Sequence, residues 1–175
     1  NHKDIGTMYL FFALFMLFLG GGMAMIIRAE LFSPGLQFVS PEFYNNMFTN
    51  HALIMVFGLV MPAAAGMANW MIPMMIGAPD MALPRLNNLS FWLLPAAAVM
   101  LVLSIIAPWV GGGMAVTAGW TLYPPVSLQA GISMDLLIFT VHLLGISSIL
   151  ASINIVTTVL NMRAPGMGMM QMPLF

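Results

Sequence analysis

The sequence predicts an all-α fold, a polytopic transmembrane helix bundle, on three observations. The 175 residues are 61% hydrophobic and only 5% charged. The apolar residues fall into four long runs, each near the roughly 20 residues that a helix needs to cross a bilayer. No run shows the apolar–polar alternation of a barrel strand.

The first run, Ile5 to Ile27, is uncharged and has no small-residue cleavage pattern before the next hydrophilic stretch. It reads as a retained span and not a cleaved signal peptide. Within it, Gly20, Gly21, Gly22 and Ala24 offer a small surface for close helix approach. The second span, Phe48 to Ile76, carries an ionisable His51 near one end. The third, Leu89 to Val110, and the fourth, Ile132 to Leu160, hold internal Pro or Gly, which membrane helices tolerate. The four spans are expected to form one transmembrane domain over residues 1–175. The chain begins at Asn1 and stops at Phe175 in an apolar turn, and is read as a fragment of a longer bundle.

Composition excludes several functions. The absence of Cys removes disulfides, iron–sulfur clusters and thiolate sites. No basic patch marks a nucleic-acid surface. The 20 Met residues are scattered over all faces, so they read as flexible packing and not as a copper site.

Four basic residues give the orientation. With alternating spans, Lys3, Arg85 and Arg163 share one side and Arg28 lies alone on the other, which assigns the first side to the cytoplasm. His51 then lies a turn or two below the outer end of its span, near Arg28 and the outer loop that holds Trp120. Tyr9, Asn69, Asp80, Asn87, Ser147, Ser148 and Asn154 all fall toward the inner side. An ionisable group within a span is a functional-site expectation, and neutral imidazole is a common haem-iron ligand. From the residues alone, a structural histidine stands level with a ligand at His51. Each Asn taken singly reads as interhelical glue; as a set on the side of an acid, they favour a wet proton path. In the outer loop, the Gly and tandem Pro of GWTLYPP fix a turn. His2 reads as solvated at the inner surface, and His142 as a packed, hydrogen-bonded histidine. Asp135 reads as a helix N-terminal anion.

Six strings carry a resemblance: NHKDIGT at 1–7, IIRAEL at 26–31, TNHALIM at 49–55, MIGAPDMALPRLNNLSFWLLP at 75–95, GWTLYPP at 119–125 and INIVTTVLNMRAPGM at 153–167. Together they resemble subunit I of the haem-copper terminal oxidases, most closely the cytochrome c oxidases that carry haem A. The resemblance implies four spans of a twelve-helix subunit. It implies an enzyme that passes electrons from cytochrome c to oxygen, forms water and pumps protons, in company with other oxidase subunits and membrane lipid. His51 would be an axial ligand of the low-spin haem A. Arg28 would bond the haem formyl group, and Tyr44 and Trp120 would hold the propionates. Asp80 would open a proton channel continued by Asn69, Asn87, Tyr9, Ser147, Ser148 and Asn154. Glu30 and Gly35 match a peripheral calcium or sodium site.

A high-spin haem, copper B and the remaining channel would belong to later helices, so no catalytic residue lies in this stretch. The PEFYN and RAPGM segments point to a bacterial plasma membrane more than a mitochondrial inner membrane. Pro41 stands where animal relatives carry an acid of an alternative proton route. Quinol-oxidising relatives carry an Arg and Asp pair where this chain has Leu19 and Met23, which favours cytochrome c as donor. The competing expectations are a quinol oxidase of the same superfamily and a haem-free structural or transport bundle.

Overall fold

A computed structural model describes residues 1–111 and 113–175. Among the described residues there is no strand, and four helices carry the fold: α1 His2–Glu30, α2 Pro41–Ile76, α3 Pro84–Gly111 and α4 Ile132–Asn161. Each expected span lies inside one of them. All four are long and apolar enough to cross a membrane, and the protein is a multi-pass membrane bundle.

The helices outrun the apolar runs at their ends, most of all in α2. Hydropathy places its start at Phe48, but it begins seven residues earlier. The Ser40 side chain accepts from the Phe43 backbone N–H at 3.3 Å, Pro41 occupies the first turn, and Glu42 meets the positive end of the helix dipole. These are start signals that hydropathy does not register. Over 36 residues α2 is roughly 54 Å long at 1.5 Å per residue. That exceeds a hydrocarbon core of about 30 Å, so α2 is longer than a straight crossing needs. His51 lies ten residues into its helix and three into the expected apolar span.

Directly after His51, α2 widens into a π-helical stretch, Ile54–Val60. It returns to α-helix at Met61 and ends at Gly77, whose φ of +72° is a left-handed cap. Proline opens α3 at Pro84, five residues before the expected Leu89. At its other end α3 continues through Gly111. The GWTLYPP segment is a turn, as expected, and leads into a short 3₁₀ segment, Val126–Gln129.

The helices pack as two pairs, α1 on α2 and α3 on α4. Missing side chains set the first contact. A Cβ on Gly6 would lie 2.9 Å from the Gly66 carbonyl, and one on Gly20 would lie 2.7 Å from Met55 Sδ. Gly21 and Gly22 face open space, so of the three expected glycines only Gly20 meets a neighbouring helix. Met16, Met23, Leu53, Ile54, Leu101 and Leu137 fill the outer half of the core. Ile5, Tyr9, Phe91 and Leu94 fill the inner half. Large apolar side chains, among them Phe11, Phe15 and Phe18 on α1 and Trp92 on α3, remain exposed on the outside of the bundle. That is the surface a membrane protein offers to lipid or further helices.

Candidate functional site

Two polar regions interrupt the apolar core, one in the outer half around His51 and one in the inner half above Asp80.

In the outer region, the His51 ring crosses from α2 to α1. Its Nδ1 lies 2.8 Å from the carbonyl oxygen of Gly20. A carbonyl can only accept, so Nδ1 carries a proton, and in the neutral ring Nε2 keeps its lone pair. This is the arrangement a metal-ligating histidine needs, because the bond to the second nitrogen fixes both tautomer and ring direction. The acceptor is reachable because Gly20 has no side chain, and Met55 Sδ and Ile54 Cγ2 occupy the space a Cβ would take. The imidazole is half-buried, open enough to bind a ligand.

Tyr44 lies seven residues before His51, on the same face of α2 and about 10 Å toward the outer end. Arg28 is exposed in the last turn of α1. Trp120, 53% exposed, follows Gly119, whose N–H donates to Thr49 Oγ1 at 3.0 Å. That bond fixes the loop at the level of α2 just above His51. Two more bonds hold the same loop: Asn46 Nδ2 donates to the Val116 carbonyl at 3.2 Å, and the Ala115 N–H donates to Glu42 Oε1 at 3.2 Å. Glu42, Asn46 and Thr49 recur at i, i+4 and i+7, one stripe of a helix. Hydropathy hid this clasp; the spacing of its polar residues would have revealed it. Among the described residues, Arg28, Tyr44 and Trp120 make no side-chain hydrogen bond to His51 or to one another.

Glu30 holds backbone of the following loop. Its carboxylate accepts the backbone N–H groups of Gln37, Phe38 and Val39 at 2.8, 2.7 and 3.1 Å. Three of its roughly four acceptor positions are thus taken. Gly35 turns at a φ of +91°, and both line a surface cavity of about 480 Å³ with Tyr44 and Asn45. The carboxylate is a clasp for the 31–40 loop, a role that competes with the expected calcium or sodium site. No group of three or more metal-ligating side chains occurs among the described residues.

In the inner region, Asp80 lies at the bundle end, one-third exposed at its side chain. Its Oδ1 accepts the N–H groups of Met81 at 2.7 Å and His2 at 3.0 Å. His2 was expected in solvent; it is 6% exposed, with Nδ1 3.3 Å from the same oxygen. His142 departs from expectation in the opposite sense: its Nδ1 bonds the Ile138 carbonyl of its own helix, as expected, but the residue is exposed.

The loop that carries Asp80 is fastened to α4, with Ala82 N–H donating to Thr158 Oγ1 at 2.9 Å and Leu83 N–H to Asn154 Oδ1 at 2.8 Å. Deeper in, Asn87 Nδ2 donates to Asn69 Oδ1 at 2.6 Å. Ser90 Oγ donates to the Asn87 carbonyl and meets Tyr9 Oη, both at 2.8 Å, and Ser147 Oγ donates to the Ser90 carbonyl at 2.6 Å. Beyond them lies a cavity of about 280 Å³ lined in part by Tyr9, Ser147 and Ser148. All seven expected inner residues thus lie in one region: two bonded groups, and Ser148 at the cavity wall. Asn69, Asn87, Tyr9 and Ser147 are joined through Ser90, and Asn154 secures the loop of Asp80. No direct bond links the Asp80 carboxylate to the Asn set. Asn87 Oδ1 and Asn154 Nδ2, both fully buried, each lack a further partner, the situation that buried water resolves. Ser90 and Thr158 escaped the sequence reading, although Ser90 follows Asn87 by three residues and Thr158 follows Asn154 by four.

Comparison with known proteins agrees with this architecture. Over its full length the chain is 43% identical to cytochrome c oxidase subunit 1 of Cereibacter sphaeroides and 44% identical to that of Corynebacterium efficiens. It spans 36% and 30% of those two relatives, about a third of their length. The family of cytochrome c and quinol oxidase polypeptide I matches residues 4–175, and this chain belongs to it.

Proposed function

We propose that this chain is the N-terminal part of the catalytic subunit of a bacterial cytochrome c oxidase. The whole enzyme would take electrons from cytochrome c, reduce oxygen to water and pump protons, together with other oxidase subunits in the plasma membrane. The observation that carries the reading is the His51–Gly20 bond, which leaves Nε2 as a directed lone pair on a half-buried ring. A haem held there by His51 would supply one-electron transfer.

The chain's own residues prepare the position. Gly20 fixes the imidazole tautomer, Arg28 adds a guanidinium in the outer half, and the Thr49–Gly119 bond supports the loop bearing Trp120. Arg28 toward a formyl group, and Tyr44 and Trp120 toward propionates, complete the proposed haem A pocket. Copper B and the high-spin haem would be held by the rest of the subunit.

Proton entry is assigned to Asp80. Its partly exposed carboxylate at the bundle end and the joined Asn69, Asn87, Ser90, Tyr9 and Ser147 groups support a path inward to the cavity at Ser148. The unpartnered Asn87 Oδ1 and Asn154 Nδ2 support water along it. Leu19 and Met23 pack in the apolar core, and no charged pair lies there for a quinol; this favours cytochrome c as donor.

The test is His51→Ala in the full-length subunit, read by reduced-minus-oxidised absorption. Loss of the low-spin haem band with retention of the high-spin band is expected. An unchanged spectrum would exclude the axial role, and a wild-type protein without haem absorption would favour the haem-free bundle. Oxidation of quinol in the absence of cytochrome c would instead favour a quinol oxidase.

A further inference from the structure

Asn46 and Asn50 stand one turn apart on the outer half of α2, and both are 0% exposed. Each amide nitrogen is committed to a backbone carbonyl: Asn46 Nδ2 to Val116 at 3.2 Å and Asn50 Nδ2 to Asn46 at 2.9 Å. Those acceptors fix the amide orientations, since flipping either group would set oxygen against oxygen. The two oxygens, Asn46 Oδ1 and Asn50 Oδ1, are therefore true acceptors, and neither has a partner among the described residues. Buried amide oxygens are seldom left unpaired.

Three donors of this face are already used. Thr49 Oγ1 donates to the Asn45 carbonyl at 2.8 Å, and the Ala115 and Gly119 N–H groups bond Glu42 and Thr49. Ala115 and Val116, 1% and 0% exposed, close the loop over this face. The oxygens are sealed by this chain's own elements, so a further helix or subunit packed outside could not reach them. Only a small donor held inside could.

We propose that Asn46 and Asn50 form an internal water site between α2 and the outer loop, with one water donating to both side-chain oxygens. Side chains at i and i+4 lie about 5 to 6 Å apart at Cβ, a gap that one molecule with two O–H groups bridges. A metal ion would need several more oxygens than two neutral amides, and a larger donor would not fit beneath a closed loop. The site places exchangeable protons one turn above His51 and does not rest on the haem reading.

Two measurements on the full-length oxidase test it. In a structure that resolves ordered solvent, density is expected at about 2.7 to 3.2 Å from both Oδ1 atoms. Apolar contact there, or a protein donor on either oxygen, would overturn the proposal, as would ion-like oxygen distances near 2.4 Å. The second is a cycle of Asn46→Leu, Asn50→Leu and the double variant, followed by thermal denaturation. Asn50→Leu displaces the water and strands Asn46 Oδ1, so its Tm should fall. The double variant should lose less than the sum of the singles. Additive changes, or a single variant that melts above wild type, would mean that the two oxygens share nothing.

Discussion

Gly20→Ala tests the coupling between helix packing and the His51 ring most directly. The added Cβ would lie 2.7 Å from Met55 Sδ, 3.0 Å from Ile54 Cγ2 and 3.2 Å from Met55 Cγ. The Met55 thioether can swing away. Ile54 cannot: it is β-branched, 1% exposed, and stands at the start of the π-helical stretch. Relief must come from moving α1 and α2 apart by several tenths of an ångström, which stretches the 2.8 Å His51–Gly20 bond. Overpacking costs about 1–3 kcal/mol, and losing the bond adds about 0.5–1.5 kcal/mol. A penalty of about 1.5–4.5 kcal/mol in all corresponds to roughly 10- to 2000-fold in the folding equilibrium.

The assay is thermal denaturation of the purified full-length subunit with its absorption spectrum followed in parallel. The variant should melt lower, and its low-spin haem band should shift or be partly lost. Gly21→Ala is the control, because a Cβ there meets nothing within 4 Å; it should be neutral or slightly stabilising as alanine replaces glycine within a helix. Equal behaviour of the two variants would refute the reasoning.

Thr158→Val removes the hydroxyl that accepts from Ala82 N–H at 2.9 Å. It should cost about 1–2 kcal/mol and slow proton uptake from the inner side, and wild-type uptake would separate the Asp80 loop from the path. Asp80→Asn, which keeps the shape and loses the charge, should reduce turnover and inner-side uptake; unaltered pumping would count against channel entry at this residue. In Glu30→Gln, three N–H donors lose an anionic acceptor, and limited proteolysis within 31–40 should accelerate. Equal cleavage rates would show that the clasp is not charge-dependent.

Hydropathy was enough to count the helices, because each run must be apolar to cross a bilayer and long enough to bridge it. Their ends were less legible. Ser40, Pro41 and Glu42 start α2 by capping and dipole complementarity, signals carried by three residues and lost in a twenty-residue average. At the sites, the residue types were legible and the partners were not. His51, Asp80 and the three Asn residues stand out because polar groups in an apolar span are costly. Ser90, Thr158 and Thr49 were overlooked because an isolated hydroxyl on a membrane helix can be satisfied within its own turn.

Sequence alone determined the four-span membrane bundle and the few polar positions able to carry chemistry, since the cost of burying charge in lipid acts on each residue separately. Only the tertiary structure decided that Gly20 supplies the acceptor for His51, that Ser90 joins Asn87 to Tyr9, and that His2 closes on Asp80. Each of these pairs unites residues 31 to 81 positions apart or lies at the meeting of helix ends. Such contacts depend on how helices approach, which a missing Cβ or a capped end governs and a local pattern cannot encode.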